Sequence, residues 1–466
     1  MTPQALAWGW LKALPSRPFA LLETAGSHPK KRFSLLAGEP LFVFEGRGAR
    51  STLRCGPSVW KPALPPERVF EALGNALARR AGPKFWPLIN AFGYEAGGRF
   101  ERLPRAPSGA LGLPDWWAFL PGLWAWRDSK QGRWRTARAG LDASTARALS
   151  RALGLPSQAL EPARRAPQAA WTTLRLLLKK AVPPPPPLPA PARAQTALKD
   201  SMGKAGYCRG VRAVQRHILD GDIYQANLAH TFEVRFTGDA FDLYRRLTRI
   251  NPSPMAAFVD LGRVQVVSAS PERLFRVRGR RVETWPIAGT APRRGRPGEG
   301  QSLLRSAKDR AEHVMLVDLE RNDLGRVCVP GSVRVPRFQV LRSYSHVHHL
   351  VSQVVGTLSP GKSLPHLLAA GFPGGSVTGA PKIRSMEIIA ALEGRARGWY
   401  TGSLGWWDPR LRAADLNILI RTLFVARGRA GASVGAGIVL DSKPEAEWRE
   451  TQAKAGALLS ALGLKA

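Results

Sequence analysis

The segment FPGGSVTGAPK, residues 372–382, has the composition of a loop that leads into a helix. Gly374 and Gly375 would let the backbone come close to a ligand, and Thr378 is of a residue type that often caps a helix N-terminus. Lys382 adds a positive charge where the free N–H groups of a helix start already favour anions. The apolar residues that follow recur at helical spacing. The segment therefore predicts an anion site at a helix start or, in the simpler alternative, an ordinary junction between a loop and a helix.

The bulk composition is that of a large globular protein. The chain has 466 residues, of which 44% are hydrophobic, enough for one large domain or two. No apolar run approaches the roughly 20 residues that cross a bilayer, and the N-terminal stretch lacks the pattern of a secretory signal. The three cysteines lie far apart, which argues against a disulfide framework or a zinc site. We therefore expect a cytoplasmic protein that does not contact a membrane.

The net charge is strongly positive, with 69 lysines and arginines against 34 acidic residues, a formal charge of +35. Such a charge is typical of nucleic-acid-binding proteins. The basic residues, however, are scattered along the chain, and we find neither zinc-finger spacing nor an RNA-binding aromatic signature. A basic solvated surface explains the pattern better, so nucleic acid is not the expected partner. The field of this surface would attract small anionic substrates.

A proline-rich stretch, residues 182–196, divides the chain into an N-terminal region, 1–181, and a C-terminal region, 197–466. The proline-rich stretch is expected to be an extended linker. Strand-like and helix-like segments mix without strict alternation in both regions. The pattern predicts an α+β fold with a large mixed or antiparallel sheet flanked by helices. Helices are expected at about 203–220, 304–322, 347–370, 381–393 and 443–462.

Two predicted helices carry pairs of carboxylates. Asp309 and Glu312 are three residues apart, as are Glu447 and Glu450, so each pair lies on one helix face. If the two helices converge, their oxygens would suit Mg²⁺. Taken singly, each pair is also compatible with a solvated helix face.

Three further residues have the chemistry of a site. Glu272 follows a predicted strand and would be a proton donor if it is desolvated. His349 lies beside an apolar run and is either a structural residue or an acid–base group. Arg421 is expected inside an apolar strand, where it needs a carboxylate partner from the protein or from a ligand.

Taken in order, the segments of the C-terminal region resemble the chorismate-utilising enzymes. The matching segments are 221–230, 268–274, 286–290, 308–328, 343–352, 372–382, 402–407, 420–422 and 435–451. The N-terminal region agrees more loosely, through 19–40 and 92–104, with anthranilate and aminodeoxychorismate synthases. The resemblance implies the fold of anthranilate synthase component I.

The resemblance also implies roles for individual residues. It implies Mg²⁺ held by Glu312 and Glu450, with Asp309 and Glu447 as neighbours, and chorismate as substrate. The implied substrate-binding residues are Thr378, Gly379, Lys382, Tyr400, Arg421, Gly435 and Gly437. The implied catalytic residues are Glu272, His349 and Thr290, which would assist loss of the C4 hydroxyl and later proton steps.

The branch of the family depends on the nucleophile. Members that add water carry a lysine base where this chain has Gln225, which cannot deprotonate water, so ammonia is the expected nucleophile. It would come from a separate glutamine amidotransferase subunit. Most segments resemble aminodeoxychorismate synthase component I, which aminates C4 on the way to p-aminobenzoate and folate, with a lyase acting next.

Ala288 favours the alternative branch. The best-known aminodeoxychorismate synthases have a nucleophilic lysine at this position, and alanine offers no nucleophile. Amination at C2, as in anthranilate synthase component I of tryptophan biosynthesis, therefore stays open. So does a basic nucleic-acid-binding protein that retains the fold. Glu23, Thr24, Phe33 and Ser34 resemble a tryptophan pocket that both synthases can have.

Overall fold

The computed structural model of the chain describes residues 1–25, 33–104, 111–128, 132–179, 185–189, 198–292, 298–343 and 347–464. Within these ranges the α-helices are α1 (Pro3–Ala13), α2 (Pro66–Ala78), α3 (Ala143–Ala152), α4 (Gln168–Lys179), α5 (Gly203–Leu219), α6 (Ala240–Ile250), α7 (Gln301–Arg305), α8 (Ala307–Gly325), α9 (Leu364–Gly371), α10 (Lys382–Glu393) and α11 (Pro444–Ala461). The strands are β1 (Phe19–Glu23), β2 (Phe33–Arg47), β3 (Arg50–Cys55), β4 (Ser58–Trp60), β5 (Leu88–Phe92), β6 (Trp116–Asp128), β7 (Arg135–Arg138), β8 (Lys199–Asp200), β9 (Gln225–Arg235), β10 (Met255–Asp260), β11 (Gln265–Ser270), β12 (Arg273–Arg278), β13 (Arg281–Thr284), β14 (Ile287–Pro292), β15 (Arg334–Ser343), β16 (Val347–Thr357), β17 (Gly379–Ala380), β18 (Ser403–Asp408), β19 (Ala413–Asn417), β20 (Thr422–Ala426) and β21 (Arg429–Ile438).

The strands join into a continuous antiparallel sheet. Its main order is β9–β21–β20–β11–β10–β1–β2–β6–β5–β18–β19–β12–β13–β16, with β14 and β15 both paired to β16. The short strand β17 extends the other end by pairing with β9. The predicted α+β fold with a large sheet flanked by helices is confirmed.

Strands from the two sequence regions lie side by side in this sheet. The N-terminal strands β1, β2, β6 and β5 stand in its middle, because β1 pairs with β10 and β5 pairs with β18. Several of these strands, such as β1 and β10, are buried along nearly their whole length, which explains their continuous apolar sequences. The two largest buried apolar clusters each contain residues from both regions.

Helices α8 and α11, which carry the predicted carboxylate pairs, are fixed by specific contacts. Helix α8 begins at the N-cap Ser306, whose hydroxyl accepts a hydrogen bond from the Asp309 N–H at 3.2 Å. Helix α11 is held to β9 through His230, whose Nε2 lies 2.9 Å from Thr451 Oγ1 and whose ring packs on Trp448 at 4.8 Å. Helix α11 therefore packs beside β9 and β21, and α8 packs beside β14 and β16.

One predicted helix was wrong. Residues 347–357 form strand β16 rather than a helix, and only Leu364–Gly371 is helical in that part of the chain. The strand pairs with β13, β14 and β15, which satisfies its backbone on both sides. The helices predicted near 203–220, 381–393 and 443–462 correspond closely to α5, α10 and α11.

Of the proline-rich stretch, only residues 185–189 belong to the described part of the chain, and the rest of the predicted linker lies outside it. Arg245 and Arg246 of α6 donate hydrogen bonds to the carbonyls of Pro186 and Pro189, at 2.7 and 2.8 Å. Among the described helices, none is both long and apolar enough to cross a membrane. The three cysteines are buried free thiols.

Candidate active site

The candidate site lies where strands β20 and β21 stop pairing. Phe424 pairs with Gly431, but the ladder ends before Arg421, which would face Val434 if the register continued. Arg421 has a φ of 53°, a left-handed conformation that is uncommon outside glycine. Beyond this point the described pairing of β21 is with β9 alone, which leaves one edge of β21 open.

The backbone N–H and C=O groups of Gly435 and Gly437 are directed outwards from this open edge, away from β9. Asn227, the partner of Gly437 on β9, donates its N–H to the Thr378 carbonyl at 2.7 Å, away from β21. Because hydrogen-bonded and non-hydrogen-bonded pairs alternate in an antiparallel ladder, both glycines direct their polar groups away from β9. The Lys454 ammonium accordingly donates to the Gly435 carbonyl at 2.8 Å. The backbone N–H groups of both glycines therefore lie on the open edge, and their predicted substrate contacts stay predictions.

Both positions need glycine because side chains of β9 lie directly over them. A Cβ on Gly435 would come within 2.7 Å of Asn227 Oδ1, and one on Gly437 within 2.3 Å of Gln225 Nε2. Gln225 Nε2 in turn donates to Glu312 Oε1 of α8 at 3.0 Å. Strand β9 and helix α8 thus meet over the edge of β21.

The loop 372–382 closes another side of the site and reaches Glu272. The Ser376 hydroxyl donates to Glu272 Oε1 at 2.8 Å. The Glu272 backbone is fixed in turn, because its carbonyl accepts from the Ile418 N–H at 3.1 Å and its N–H donates to Ser270 Oγ at 3.3 Å. Glu272 is therefore held in a defined position between β11 and β12.

Burial makes Glu272 a neutral acid at neutral pH. Desolvation and, to a smaller extent, the nearby Glu320 raise the pKa of its carboxyl, whereas Ser376 and Lys454 lower it, and the net result is a pKa of about 8. A protonated carboxylic acid in this position can donate a proton to a leaving hydroxyl. The proton-donor role predicted for Glu272 fits its surroundings.

A chain of buried groups continues from Glu272 into α8. Desolvation and the neighbouring Asp323 raise the pKa of Glu320 to about 7. Asp323 is paired with Lys382 at 2.6 Å, and Lys382 also donates to the Gly371 carbonyl at 3.2 Å. The loop is thus fastened to α8 at its end as well as to Glu272 at its middle.

These contacts change the interpretation of the loop. Thr378 was predicted to cap the N-terminus of α10, and this was wrong. The helix begins at Lys382, and Pro381 is in the cap position. The Thr378 hydroxyl instead donates to the Gly374 carbonyl at 3.0 Å. Lys382 was expected to bind the substrate, and in the structure its ammonium is paired with Asp323. Their predicted substrate contacts stay predictions.

The glycines of the loop serve close packing. A Cβ on Gly375 would approach Leu319 Cδ2 of α8 to 2.6 Å, and one on Gly379 would come within 2.1 Å of the Gln225 carbonyl oxygen. Gly379 is paired with Ala226 in the short β17–β9 ladder. The loop therefore needs glycine because protein backbone and side chains approach it closely.

His349 lies on β16, opposite Thr290 of β14. Its Nδ1–H donates to the Gly289 carbonyl at 3.2 Å, which places the lone pair on Nε2. Burial, together with the positive charges of Arg421 and Lys454, lowers the pKa of His349 to about 4. His349 is therefore a neutral imidazole at neutral pH. The Thr290 side chain lies outside the described part of the structure.

Arg421 and Lys454 lie together beside the Gly435 edge of β21. Arg421 was predicted to lie inside a strand, and this was wrong. Strand β20 begins at Thr422, and Arg421 lies in the turn before it, beside α11. Its guanidinium donates to the Lys454 carbonyl at 2.8 Å. Burial lowers the pKa of Arg421, while Tyr400 and Glu450 raise it. The ring of the buried Tyr400 lies 5.7 Å from the guanidinium of Arg397, and desolvation raises the pKa of the Tyr400 hydroxyl.

The predicted metal ligands approach the β21 edge from two helices. Glu312 Oε1 would lie 3.1 Å from a Cβ at Gly437. Glu450 is half exposed and is paired at 2.8 Å with Lys454, which contacts Gly435. The donors are carboxylate oxygens, the ligand type that Mg²⁺ prefers. In the described part of the chain, no three histidine, cysteine or acidic side chains form a ready metal cluster.

The two neighbouring carboxylates differ in their surroundings. Asp309 lies against Gly289, where a Cβ would come 3.3 Å from Asp309 Oδ1. Glu447 is buried and accepts a hydrogen bond from the Ser442 hydroxyl at 2.7 Å. Asp309 thus lies close to the His349 side of the site, and Glu447 is fixed at the start of α11.

The residues of the predicted tryptophan pocket come together on the first two strands. Glu23 of β1 is paired with Ser34 of β2, and the Thr24 N–H donates to the Phe33 carbonyl at 2.9 Å. The buried Glu23 carboxylate accepts from the Tyr244 hydroxyl at 2.7 Å, and desolvation raises its pKa. The binding role of this cluster stays a prediction.

Sequence reasoning missed Lys454, Glu320 and Asn227. Lys454 was detectable, because it lies one helical turn after Glu450 on the same face of α11. Glu320 lies two turns after Glu312 on α8, and the shared face was a weaker signal. Nothing in the sequence indicated that Asn227 would lie over Gly435, since that contact depends on the register of β9 and β21.

Comparison with known proteins identifies the class. The model of the chorismate binding enzyme family matches residues 29–460, and the chain belongs to this family. Aminodeoxychorismate synthase component 1 of Klebsiella aerogenes is 35% identical to it, over 97% of this chain and 96% of the relative. Anthranilate synthase component 1 of Thermus thermophilus is 37% identical, over 97% and 94%. The solved structure of anthranilate synthase component I from Streptococcus pneumoniae aligns with a TM-score of 0.78 at 30% identity, over 94% of this chain and 93% of the other.

Proposed function

We propose that this protein is an aminodeoxychorismate synthase component I, which replaces the C4 hydroxyl of chorismate with an amino group from ammonia. The observation that carries the proposal is the neutral acid Glu272, with a pKa of about 8, which the Ser376 hydroxyl holds in place. Arg421 and Lys454 supply cations to the same site, and Glu312 and Glu450 supply carboxylates, with Glu450 paired to Lys454 at 2.8 Å. Chorismate is a dianion, so protein cations, carboxylates that could hold a divalent cation and a proton donor together suit it.

The protein's own groups supply the proton steps. Glu272 would protonate the C4 hydroxyl as its bond to carbon breaks, so that water leaves. Ammonia would form the new carbon–nitrogen bond with its lone pair, and the proton it then sheds would return to the Glu272 carboxylate. The sum is chorismate plus ammonia giving 4-amino-4-deoxychorismate plus water. The neutral His349 would accept a hydrogen bond at Nε2 beside the ring.

Mg²⁺ would be held by Glu312 and Glu450, with Asp309 and Glu447 nearby. When bound, it would neutralise the ring carboxylate and draw electrons from it. Two protein carboxylates leave room for the substrate and water as further oxygen ligands. The side chain of Gln225, which donates to Glu312 at 3.0 Å, would help to orient this carboxylate.

The nucleophile is inferred from Gln225 and Ala288. An amide cannot deprotonate water, and ammonia needs no deprotonation before it attacks. Ala288 is buried on β14 and brings only a methyl group, so no covalent protein intermediate would form there. We propose that a separate glutamine amidotransferase subunit supplies the ammonia and that a lyase uses the product, leading to p-aminobenzoate and folate.

Ala288 also favours a second candidate function. Without a nucleophile at this position, ammonia can attack C2, and loss of pyruvate would then give anthranilate, as in anthranilate synthase. The loop sequence FPGGSVTGAPK and the other segments support the first candidate. The relatives of both kinds have similar identity to this chain.

Product analysis tests the choice. The purified protein is incubated with chorismate, ammonium chloride and Mg²⁺, with and without an aminodeoxychorismate lyase. We expect p-aminobenzoate only when the lyase is present. Fluorescent anthranilate without the lyase would establish the second candidate instead, and no amine product from either reaction would refute both.

Metal binding is tested without turnover. Calorimetric titration of the wild type with MgCl₂ in the presence of chorismate should show saturable binding that Glu312→Gln weakens at least tenfold. Asp318→Asn on the exposed face of α8 is the matched control and should bind as the wild type does. Equal affinity of wild type and Glu312→Gln would contradict the assignment.

A further inference from the structure

Two buried amide oxygens on β9 have no hydrogen-bond donor among the described residues. They are Gln225 Oε1 and Asn227 Oδ1. Gln225 is 2% exposed and Asn227 is 9% exposed, so bulk water does not solvate either side chain. Buried acceptors without a donor are uncommon in folded proteins because desolvation is not compensated. Their position in the site indicates a ligand that donates hydrogen bonds.

Neighbouring groups fix which way each amide points. The Gln225 Nε2 group donates to Glu312 Oε1 at 3.0 Å, so its oxygen faces the other way. The Asn227 Nδ2 group is directed at the Ser376 carbonyl at 3.5 Å. In each case the NH2 group of the amide contacts the protein, and the amide oxygen has no donor among the described residues. The two side chains are two residues apart on one strand and therefore lie on the same face of the sheet.

The backbone beneath the two amides is held on both sides. The Gln225 carbonyl accepts from the Ser385 hydroxyl at 2.9 Å, and the Asn227 N–H donates to Thr378 at 2.7 Å. The guanidinium of Arg397, itself buried in an ion pair, also donates to the Asn227 carbonyl. The acceptors are thus preorganised before any ligand arrives.

The chemistry of the acceptors restricts the ligand. Chorismate presents carboxylates, an ether and a hydroxyl, so most of its polar atoms are themselves acceptors and would be repelled by amide oxygens. Ammonia carries three N–H bonds that can be donated to amide oxygens, and its single heavy atom needs little space beside them. Amide oxygens are too weakly basic to deprotonate water, so a water molecule held there would not be activated.

We propose that Gln225 Oε1 and Asn227 Oδ1 bind the ammonia nucleophile by accepting two of its N–H bonds. The nitrogen lone pair is then free to point away from β9, towards the substrate on the open edge of β21. This proposal rests on the proposed amination of chorismate and names the site of its second substrate.

Steady-state kinetics of acceptor-free variants tests the proposal. Asn227→Leu and Gln225→Met keep side-chain volume and remove the acceptor. Each is assayed against ammonium chloride at saturating chorismate and against chorismate at saturating ammonium, with sodium chloride holding the ionic strength constant. We expect the KM for ammonia to rise at least tenfold in Asn227→Leu, while the KM for chorismate changes less than twofold. An unchanged KM for ammonia in both variants overturns the proposal.

A matched control lies in another part of the sheet. Asn90 on β5 is fully buried, and its Oδ1 also lacks a donor among the described residues. Asn90→Leu therefore removes the same kind of atom far from the site and should leave both KM values unchanged. A rise in the KM for ammonia in Asn90→Leu equal to that in Asn227→Leu would attribute the effect to general loosening of the sheet and overturn the proposal.

A measurement without turnover separates this proposal from the proposed function. Thermal unfolding of the wild type is followed in ammonium chloride and in sodium chloride at equal ionic strength. We expect a higher Tm in ammonium, and no such difference in Gln225→Met or Asn227→Leu. If the wild type makes no amine product but shows this ammonium-specific rise in Tm, the proposed amination is refuted and the proposed ammonia site is supported. If the wild type shows no ammonium-specific rise in Tm, or if the variants show the same rise, the proposed ammonia site is refuted, whichever product the enzyme makes.

Discussion

Replacing Glu272 by glutamine should have opposite effects on activity and on stability at neutral pH. Glutamine has the shape of the protonated carboxyl group but cannot ionise or donate its proton. Because burial raises the pKa of Glu272 from 4.5 to about 8, the folded protein keeps this proton over a pH range in which the unfolded chain loses it. The wild type therefore loses stability as the pH rises from about 4.5 to about 8.

The size of this effect follows from the pKa difference. Each pKa unit corresponds to about 1.4 kcal/mol, so the carboxyl of Glu272 should cost the wild type about 3 kcal/mol at pH 7 relative to pH 4.5. Glu272→Gln lacks this cost, and its stability advantage over the wild type should grow with pH. Its kcat should fall about 10² to 10⁴-fold, the usual effect of removing a general acid.

Urea unfolding from pH 5 to pH 8 measures the first effect, and chorismate turnover with ammonium measures the second. Glu161→Gln is the matched control, because this carboxylate is half exposed and paired with Arg164 on the surface. Its unfolding free energy should follow that of the wild type across the pH range. A constant difference between Glu272→Gln and the wild type from pH 5 to pH 8 would refute the neutral-acid assignment.

Three further predictions concern the supports of the site. Gly379→Ala should destabilise the protein by about 3 kcal/mol, because its Cβ would come 2.1 Å from a backbone oxygen, whereas Gly394→Ala, with open space around its Cβ, should cost about 1 kcal/mol. Glu320→Gln should move the basic limb of the kcat profile to lower pH, because the Glu320 charge raises the pKa of Glu272. Arg397→Met should cost about 3 to 5 kcal/mol in urea unfolding, because it leaves a buried glutamate unpaired.

Each of these predictions has a clear contrary result. If Gly379→Ala and Gly394→Ala lose the same unfolding free energy, the backbone around Gly379 can move to accommodate a Cβ at little cost. If the basic limb of the kcat profile stays at the same pH in Glu320→Gln, the charge of Glu320 does not affect the pKa of Glu272. Asp318→Asn, an exposed position on the same helix, is the control. A stable Arg397→Met protein would mean that its buried partner becomes protonated at little cost.

Local sequence patterns predicted most helices of the C-terminal region and the residues of its two carboxylate pairs. They failed at Val347–Thr357, where a run that looked helical forms a strand because three neighbouring strands pair with it. They also failed at Arg421, which lies in a turn with positive φ rather than inside a strand. In both cases tertiary pairing outweighed local preference.

The sequence by itself determined the family and which chemical groups the candidate site can offer. The nine ordered segments between residues 221 and 451, which carry Glu272, Glu312, His349, Arg421 and Glu450, were sufficient to indicate the family. This works because carboxylates, imidazole and guanidinium have the same chemistry wherever they stand.

Only the tertiary structure decided how those groups are tuned and which of them face one another. The loop FPGGSVTGAPK looked like an anion site from its sequence, but the fold pairs Lys382 with Asp323 and directs Ser376 to Glu272. Burial made Glu272 a neutral acid, and the register of β9 against β21 placed the side chains of Asn227 and Gln225 over Gly435 and Gly437, each with an amide oxygen that has no donor among the described residues. Such properties arise from desolvation and from contacts between residues far apart in the chain, which no local pattern encodes.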